Sequence, residues 1–213
     1  MNPMEARKNP LQRYAATCGI VGPILYALVV FALGILTPGY SQATQLMSEL
    51  GENGAPYALA MNLGGFLLLG VLLLIFSFGL HAALRPSRAS RAGALLVVFA
   101  GLTYIGEALF SCDRGCVPVT FGGSAHLLIG EIAVFVAVLA SYTLALAMRP
   151  DGRWNGYWQY SAATGILVIL LIPLFPVFVG VTGAVQRLVV GVILLWLFVI
   201  ALRAYRILGG NGT

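Results

Sequence analysis

YALAMNLGGFLLLGVLLLIFSFGLHAA, residues Tyr57–Ala83, is apolar almost throughout, with His81 near its close its one histidine and no Asp, Glu, Lys or Arg. Polar and apolar positions do not alternate as in a half-buried strand, and no polar stripe marks a soluble surface helix. At about 1.5 Å of rise per residue, about 20 helical residues cross a hydrocarbon core of about 30 Å. This run is long enough. Working outward from it, spans are predicted over 15–37, 57–83, 92–111, 125–148, 160–180 and 187–206. Lipid cannot satisfy exposed backbone groups, so the spans must be helices. The predicted fold class is all-α, a polytopic membrane bundle of six transmembrane helices. Its domains are a cytoplasmic tail at 1–14, a transmembrane domain at 15–206 and a second tail at 207–213.

Composition points the same way. Of 213 residues, 60% are hydrophobic and only 9% charged, with a mean hydropathy of +0.93. Soluble domains carry roughly 25% charged residues, so no soluble core of this length needs such a surplus of apolar side chains. The basic residues set the expected orientation. Arg7, Lys8, Arg13, Arg85, Arg88, Arg91, Arg149, Arg153, Arg203 and Arg206 fall on one side, with Arg114 and Arg187 on the other. Positive charge concentrates on the cytoplasmic side, which predicts both termini inside a cytoplasmic membrane. The net charge of +5 then reads as topology and contact with anionic lipid, with the bilayer as partner and no nucleic acid. The arginine-bearing connections read as short and chemically plain. The sequon Asn211-Gly212-Thr213 is discounted because it lies at the predicted cytoplasmic end.

Polar chemistry gathers on the predicted outer side. In TPGYSQATQLMSELGENGAPY, Thr37–Tyr57, Ser41 is a plausible cap, and Ala43, Leu46, Met47 and Leu50 recur at helical spacing. A short amphipathic helix on or in the outer interface is predicted, ending at Gly51. In FSCDRGCVPV, Phe110–Val119, the spacing of Cys112 and Cys116 is wrong for a C-x-x-C redox motif, and no second pair completes a zinc site. An extracytoplasmic disulfide fits best, with redox chemistry, metal binding and free thiols as alternatives.

Several of these pieces together resemble a known family. PGYSQATQLMSELGENGAPYALAMNLGGF (Pro38–Phe66), CDRGC (Cys112–Cys116) and the spacing of His126 and Gly130 are similar to the bacterial and archaeal membrane family of unknown function 998. The resemblance runs from about Gly22 to Ile200 and implies a compact bundle of about six helices. It implies no activity.

Two carboxyl groups fall inside spans, Glu107 in the third and Glu131 in the fourth, with His126 at the mouth of the fourth. Such groups are costly in lipid unless paired, hydrated or neutral, which makes them candidate functional residues. The candidate polar site comprises Glu49, Asn62, Glu107, Asp113, His126, Glu131 and Arg187, expected to converge at an outer mouth. The bland alternative is that Arg187 pairs with Glu107 or Glu131 and locks the bundle. His81 and His126 lie at opposite ends of their spans, which argues against a shared haem. No cofactor is predicted, and a metal ion is a minor alternative. Pro173 and Pro176 should bend the fifth helix, and Gly64, Gly65, Gly70 and Gly101 should permit close packing.

Three functions compete. The leading expectation is binding or transport of a small ligand, cation or lipid headgroup at the polar mouth. An intramembrane lipid-modifying hydrolase would use Glu107 or Glu131 with His126, assisted by Ser48 or Tyr40. A structural or accessory membrane subunit is the third. Whether the protein is an enzyme is open at this stage.

Overall fold

The structure, a computed structural model, describes residues 10–210. The basic residues Arg7 and Lys8 and the sequon at 211–213 lie outside the described residues. The chain forms α1 (Pro10–Leu36), α2 (Ala60–Ala83), α3 (Arg88–Leu109), α4 (Phe121–Met148), α5 (Tyr157–Leu171), the single turn α6 (Leu174–Val177) and α7 (Thr182–Leu208). Six helical segments are long and apolar enough to cross a membrane, as the sequence predicts, and the protein is a multi-pass membrane protein. The first helix starts at Pro10 rather than at 15, because the polar residues before the apolar run continue the same helix.

Consecutive helices pack as neighbours from α1 to α5, and α7 returns against α1, α2 and α5. The apolar effect offers little drive between helices in lipid, so close approach of small residues matters more. At the α2–α3 crossing a methyl group on Gly70 would lie 2.6 Å from the Gly101 carbonyl oxygen, and one on Gly101 would lie 2.8 Å from that of Gly70. The two backbones therefore touch, and only glycine fits. Gly64 has no such role, because a methyl group there would meet no neighbour within 4 Å.

Two irregularities shape the end that carries the cysteines. The first turns of α2, Ala60–Leu67, are π-helical, and π segments inside helices recur at functional sites. Near the far end of the fifth span, α5 stops at Leu171 and Pro173 precedes the single turn α6, none of whose residues is buried. Proline lacks the N–H that would continue the ladder, so the regular hydrogen bonding is interrupted at Ile172–Pro173, although both residues keep right-handed helical dihedrals.

The opposite end is not the plain basic surface expected from sequence. Asp151 is only 1% exposed, and its carboxylate accepts from Arg153 Nε at 3.0 Å and Nη2 at 2.6 Å, with Arg85 Nε 3.6 Å away. Burial alone would raise the Asp151 pKa, but hydrogen bonds from Arg153 overcome it and hold the carboxyl below its ordinary value. Arg203 of α7 donates to the Arg153 carbonyl at 2.7 Å, and Trp154 is fully buried beside them. Together they tie the α4–α5 connection onto α7.

Candidate functional site: a cavity open to the side

The connection between α1 and α2 folds over the disulfide end of the bundle. The predicted amphipathic helix is reduced to one 3-10 turn, Met47–Gly51, with Met47, Ser48 and Leu50 buried. The segment before it is held by side chains instead of by a helical ladder. Glu49 accepts from the Leu46 N–H at 2.7 Å and from Gln45 Nε2 at 2.8 Å, so its carboxylate is spent on its own turn.

Arg187 of α7 fastens this connection. It donates through Nε to Gln42 Oε1 at 2.8 Å, through Nη1 to the carbonyls of Gln45 at 2.8 Å and Gly183 at 2.9 Å, and through Nη2 to the Tyr40 hydroxyl. The neighbouring Gln186 accepts from the Met47 N–H at 2.6 Å. The bundle-locking pair considered from sequence is not formed. Among the described residues the ion pairs are those of Asp151, and neither Glu107 nor Glu131 joins one. The reason is local: acceptors of the connection lie within reach of the guanidinium fork and occupy it.

The connection between α3 and α4 contains the Cys112–Cys116 disulfide, with the two Cα atoms 5.0 Å apart. Asp113 is a structural clamp. Its Oδ2 accepts from the N–H groups of Val119 at 2.8 Å and Thr120 at 2.7 Å, and Oδ1 accepts from the Thr120 hydroxyl at 2.9 Å. Thr120 in turn caps α4 by accepting from the Gly123 N–H at 3.1 Å. The N–H groups of Thr120 and Val119 hold the Asp113 carboxyl below the usual carboxylate range. The two connections are also laced together. Asn53 N–H donates to the Cys112 carbonyl at 3.0 Å, and Asn62 Nδ2 donates to the Gly51 carbonyl at 3.0 Å and Ser111 Oγ at 2.9 Å.

Beneath this cap lies a cavity of about 810 Å³ between α3, α4, α5–α6 and α7. Glu107, His126 and Glu131 line it near the capped end, with Ser48 and Gln186. Deeper, its walls are apolar, including Val97, Ala140, Ile193 and Trp196. Glu107 is 7% exposed and His126 3%, while Glu131 is exposed. His126 Nδ1 lies 2.7 Å from the Phe110 carbonyl, which can only accept, so that nitrogen carries a proton. Its ring meets the edge of Phe66 with centroids 5.9 Å apart.

The opening of this cavity lies on the side of the bundle. The lining residues that are also exposed are Glu131 and Phe135 on α4 and Ile169, Ile172 and Pro176 on α5–α6. The helical ladder of the fifth span is interrupted at Ile172–Pro173, beside the lining residues Ile172, Phe175 and Pro176. The axial end, where sequence put the mouth, is covered by Leu46, Met47 and Ser48.

Of the seven candidate residues, the fold thus brings Glu107, His126 and Glu131 to one cavity. Glu49, Asn62, Asp113 and Arg187 hold the cap in place instead, and Arg187 lines a separate cavity of about 210 Å³. No group of three His, Cys, Asp or Glu side chains able to hold a metal ion occurs among the described residues. Sequence reasoning missed Gln186, Tyr26 and Trp196 as lining residues. Tyr26 and Trp196 were hidden in spans where an aromatic residue is unexceptional, and Gln186 was overshadowed by the arginine beside it.

The class that emerges is a six-span helical membrane protein with a capped cavity open between two of its helices. Residues 20–203 match the family described as Protein of unknown function (DUF998), and the chain belongs to that family. No curated protein and no solved structure matches it.

Proposed function

We propose that this protein binds an amphiphile from the surrounding membrane, with the polar end at Glu107, His126 and Glu131 and the apolar tail in the trough beyond them. The observation that carries this reading is the polarity gradient of the 810 Å³ cavity, whose volume falls in the range of roughly 300–1,000 Å³ usual for small-molecule sites. A ligand wholly polar would leave the Val97–Ala140–Trp196 region unmatched. A wholly apolar one would leave the buried Glu107 without a partner, at a cost of roughly 2–7 kcal/mol even for an uncharged polar group in apolar surroundings. The lateral gap supports entry from lipid rather than from water. The excess of arginine at the Asp151 end supports an orientation with both termini in the cytoplasm, which puts the capped end and the disulfide on the outer side of a cytoplasmic membrane.

The test is photolabelling of the protein in nanodiscs with a diazirine-bearing fatty alcohol. Labels should map to α3, α4 and α7 around the cavity. Ala137→Trp, which fills the trough, should abolish them while thermal melting persists, and the less buried Ala133→Phe should reduce them. Labelling spread evenly over the lipid-facing helices, or unchanged in both variants, overturns the reading.

A further inference from the structure

We infer that the polar end of the occupant is a cationic amine, so that the ligand is an amine-headed amphiphile; this rests on the amphiphile-binding reading above. The argument begins with Glu107. It is more than nine-tenths buried, it lines the cavity, and among the described residues no donor and no basic side chain pairs with its carboxyl. An ionised carboxylate there needs a cation or several donors, and a protonated one needs an acceptor for its own O–H. Among the described residues neither is in hydrogen-bond contact with the carboxyl, so we assign the complement to what occupies the cavity.

The rest of the wall narrows the choice to a cation. Glu131 adds a second carboxyl-bearing residue to the exposed rim of the lining, and Glu107 Oε1 approaches Gly130, where a methyl group would lie 3.1 Å from that oxygen. Among the described residues no arginine or lysine lines the cavity. The nearest candidate, Arg187, has its fork committed to Gln42, Gln45, Gly183 and Tyr40. His126 directs Nδ1 to Phe110, which leaves Nε2 as an acceptor in the neutral ring. Tyr26, Phe66 and Tyr104 line the same region and pack with centroids 5.7 to 6.5 Å apart. Aromatic faces attract cations and repel anions. A phosphate or carboxylate headgroup would share the cavity with two carboxyl-bearing side chains and an aromatic cluster, with no basic side chain among the described lining residues to offset them.

The experiment uses the full protein in nanodiscs at neutral pH and measures displacement of the photoreactive fatty alcohol by dodecylamine, dodecanol, dodecanoate and butylamine. Dodecylamine should compete at least about tenfold better than dodecanol, the ratio that one modest ion pair of about 1.4 kcal/mol provides, with dodecanoate weakest. Glu107→Gln and Glu131→Gln should each shrink the gap between amine and alcohol. Glu131 is exposed, so its variant remains informative if the first fails to fold. Equal potency of the three long-chain compounds, or preference for dodecanoate, overturns the amine assignment and leaves amphiphile binding standing. A gap unchanged in the folded variants overturns it too. Butylamine matching dodecylamine overturns it in favour of a soluble amine. Displacement by none of them sinks the amphiphile reading itself.

Discussion

The Glu107 carboxyl on α3 faces Gly130 on α4 so closely that a single methyl group at 130 would sit 3.1 Å from Oε1. The contact explains why a glycine occupies this position of α4: the polar group that needs a partner in the cavity uses the space of a missing side chain. Gly130→Ala should push the carboxyl aside by a few tenths of an ångström. Displacement of the photoreactive alcohol by dodecylamine should weaken about threefold to tenfold. The stability loss should stay near 1 kcal/mol, the low end for one added carbon in a packed site. Melting and displacement measured on the same preparation separate the two effects.

Asp113 should govern part of the acid response. Its folded pKa is depressed by the Thr120 and Val119 N–H groups, so its stabilisation is fully present above the ordinary aspartate value of about 4. It is lost as pH falls through the lower folded value. Asp113→Asn should lower the melting temperature at pH 7 and flatten its decline below about pH 4 relative to wild type. Equal acid slopes in the two proteins would contradict the clamp role.

Arg187→Lys keeps the charge but removes the planar fork that reaches Gln42, Gln45 and Tyr40 together. The expected stability loss is about 1.5–3 kcal/mol, the usual range for a hydrogen bond to a charged group. Amide exchange should quicken over residues 40–47 and stay unchanged around Asp151. Exchange that rises uniformly along the chain would mean that Arg187 supports the bundle instead of its cap.

Removal of the disulfide should be mild. A loop closed by Cys112 and Cys116 restricts the unfolded chain by only about 2 kcal/mol in the chain-entropy picture. Asp113 with Thr120, and Asn53 with Cys112, hold the same segment without it. Cys112→Ser with Cys116→Ser should therefore melt a few degrees lower, and labelling by the photoreactive alcohol should persist within about twofold, a shift of under half a kcal/mol. Loss of labelling would show that the disulfide alone positions the cap.

How much of this was legible in the sequence follows from the range of the forces involved. The spans could be read because hydropathy and length act along the chain, and an irregularity of the fifth helix at Pro173 and Pro176 because proline removes a local donor. The family resemblance and the cysteine pairing were equally open to inspection. Arg187 was misplaced because a sequence shows a charge but not which acceptors a folded connection brings to it. Asp151 was passed over because an acid beside arginines in a short connection reads as solvated, whereas Arg153 and Trp154 bury it. The side opening depends on how α4 and the fifth span lie beside each other, a relation between distant elements that no single stretch encodes.

The π-helical start of α2 has a consequence of a different kind. Its wider turns take up extra chain between Ala60 and Leu67 while the rest of α2 keeps ordinary periodicity. Each residue of an α-helix turns by about 100°, so deleting one residue there would rotate everything before it by about that angle. Asn62 would swing off Gly51 and Ser111, and the whole cap would be re-aimed against α7. What is specified at this point is therefore chain length as much as side-chain identity. Alanine scanning would find the segment tolerant at Gly64, where no neighbour is near, and deletion scanning would find it among the least forgiving in the molecule.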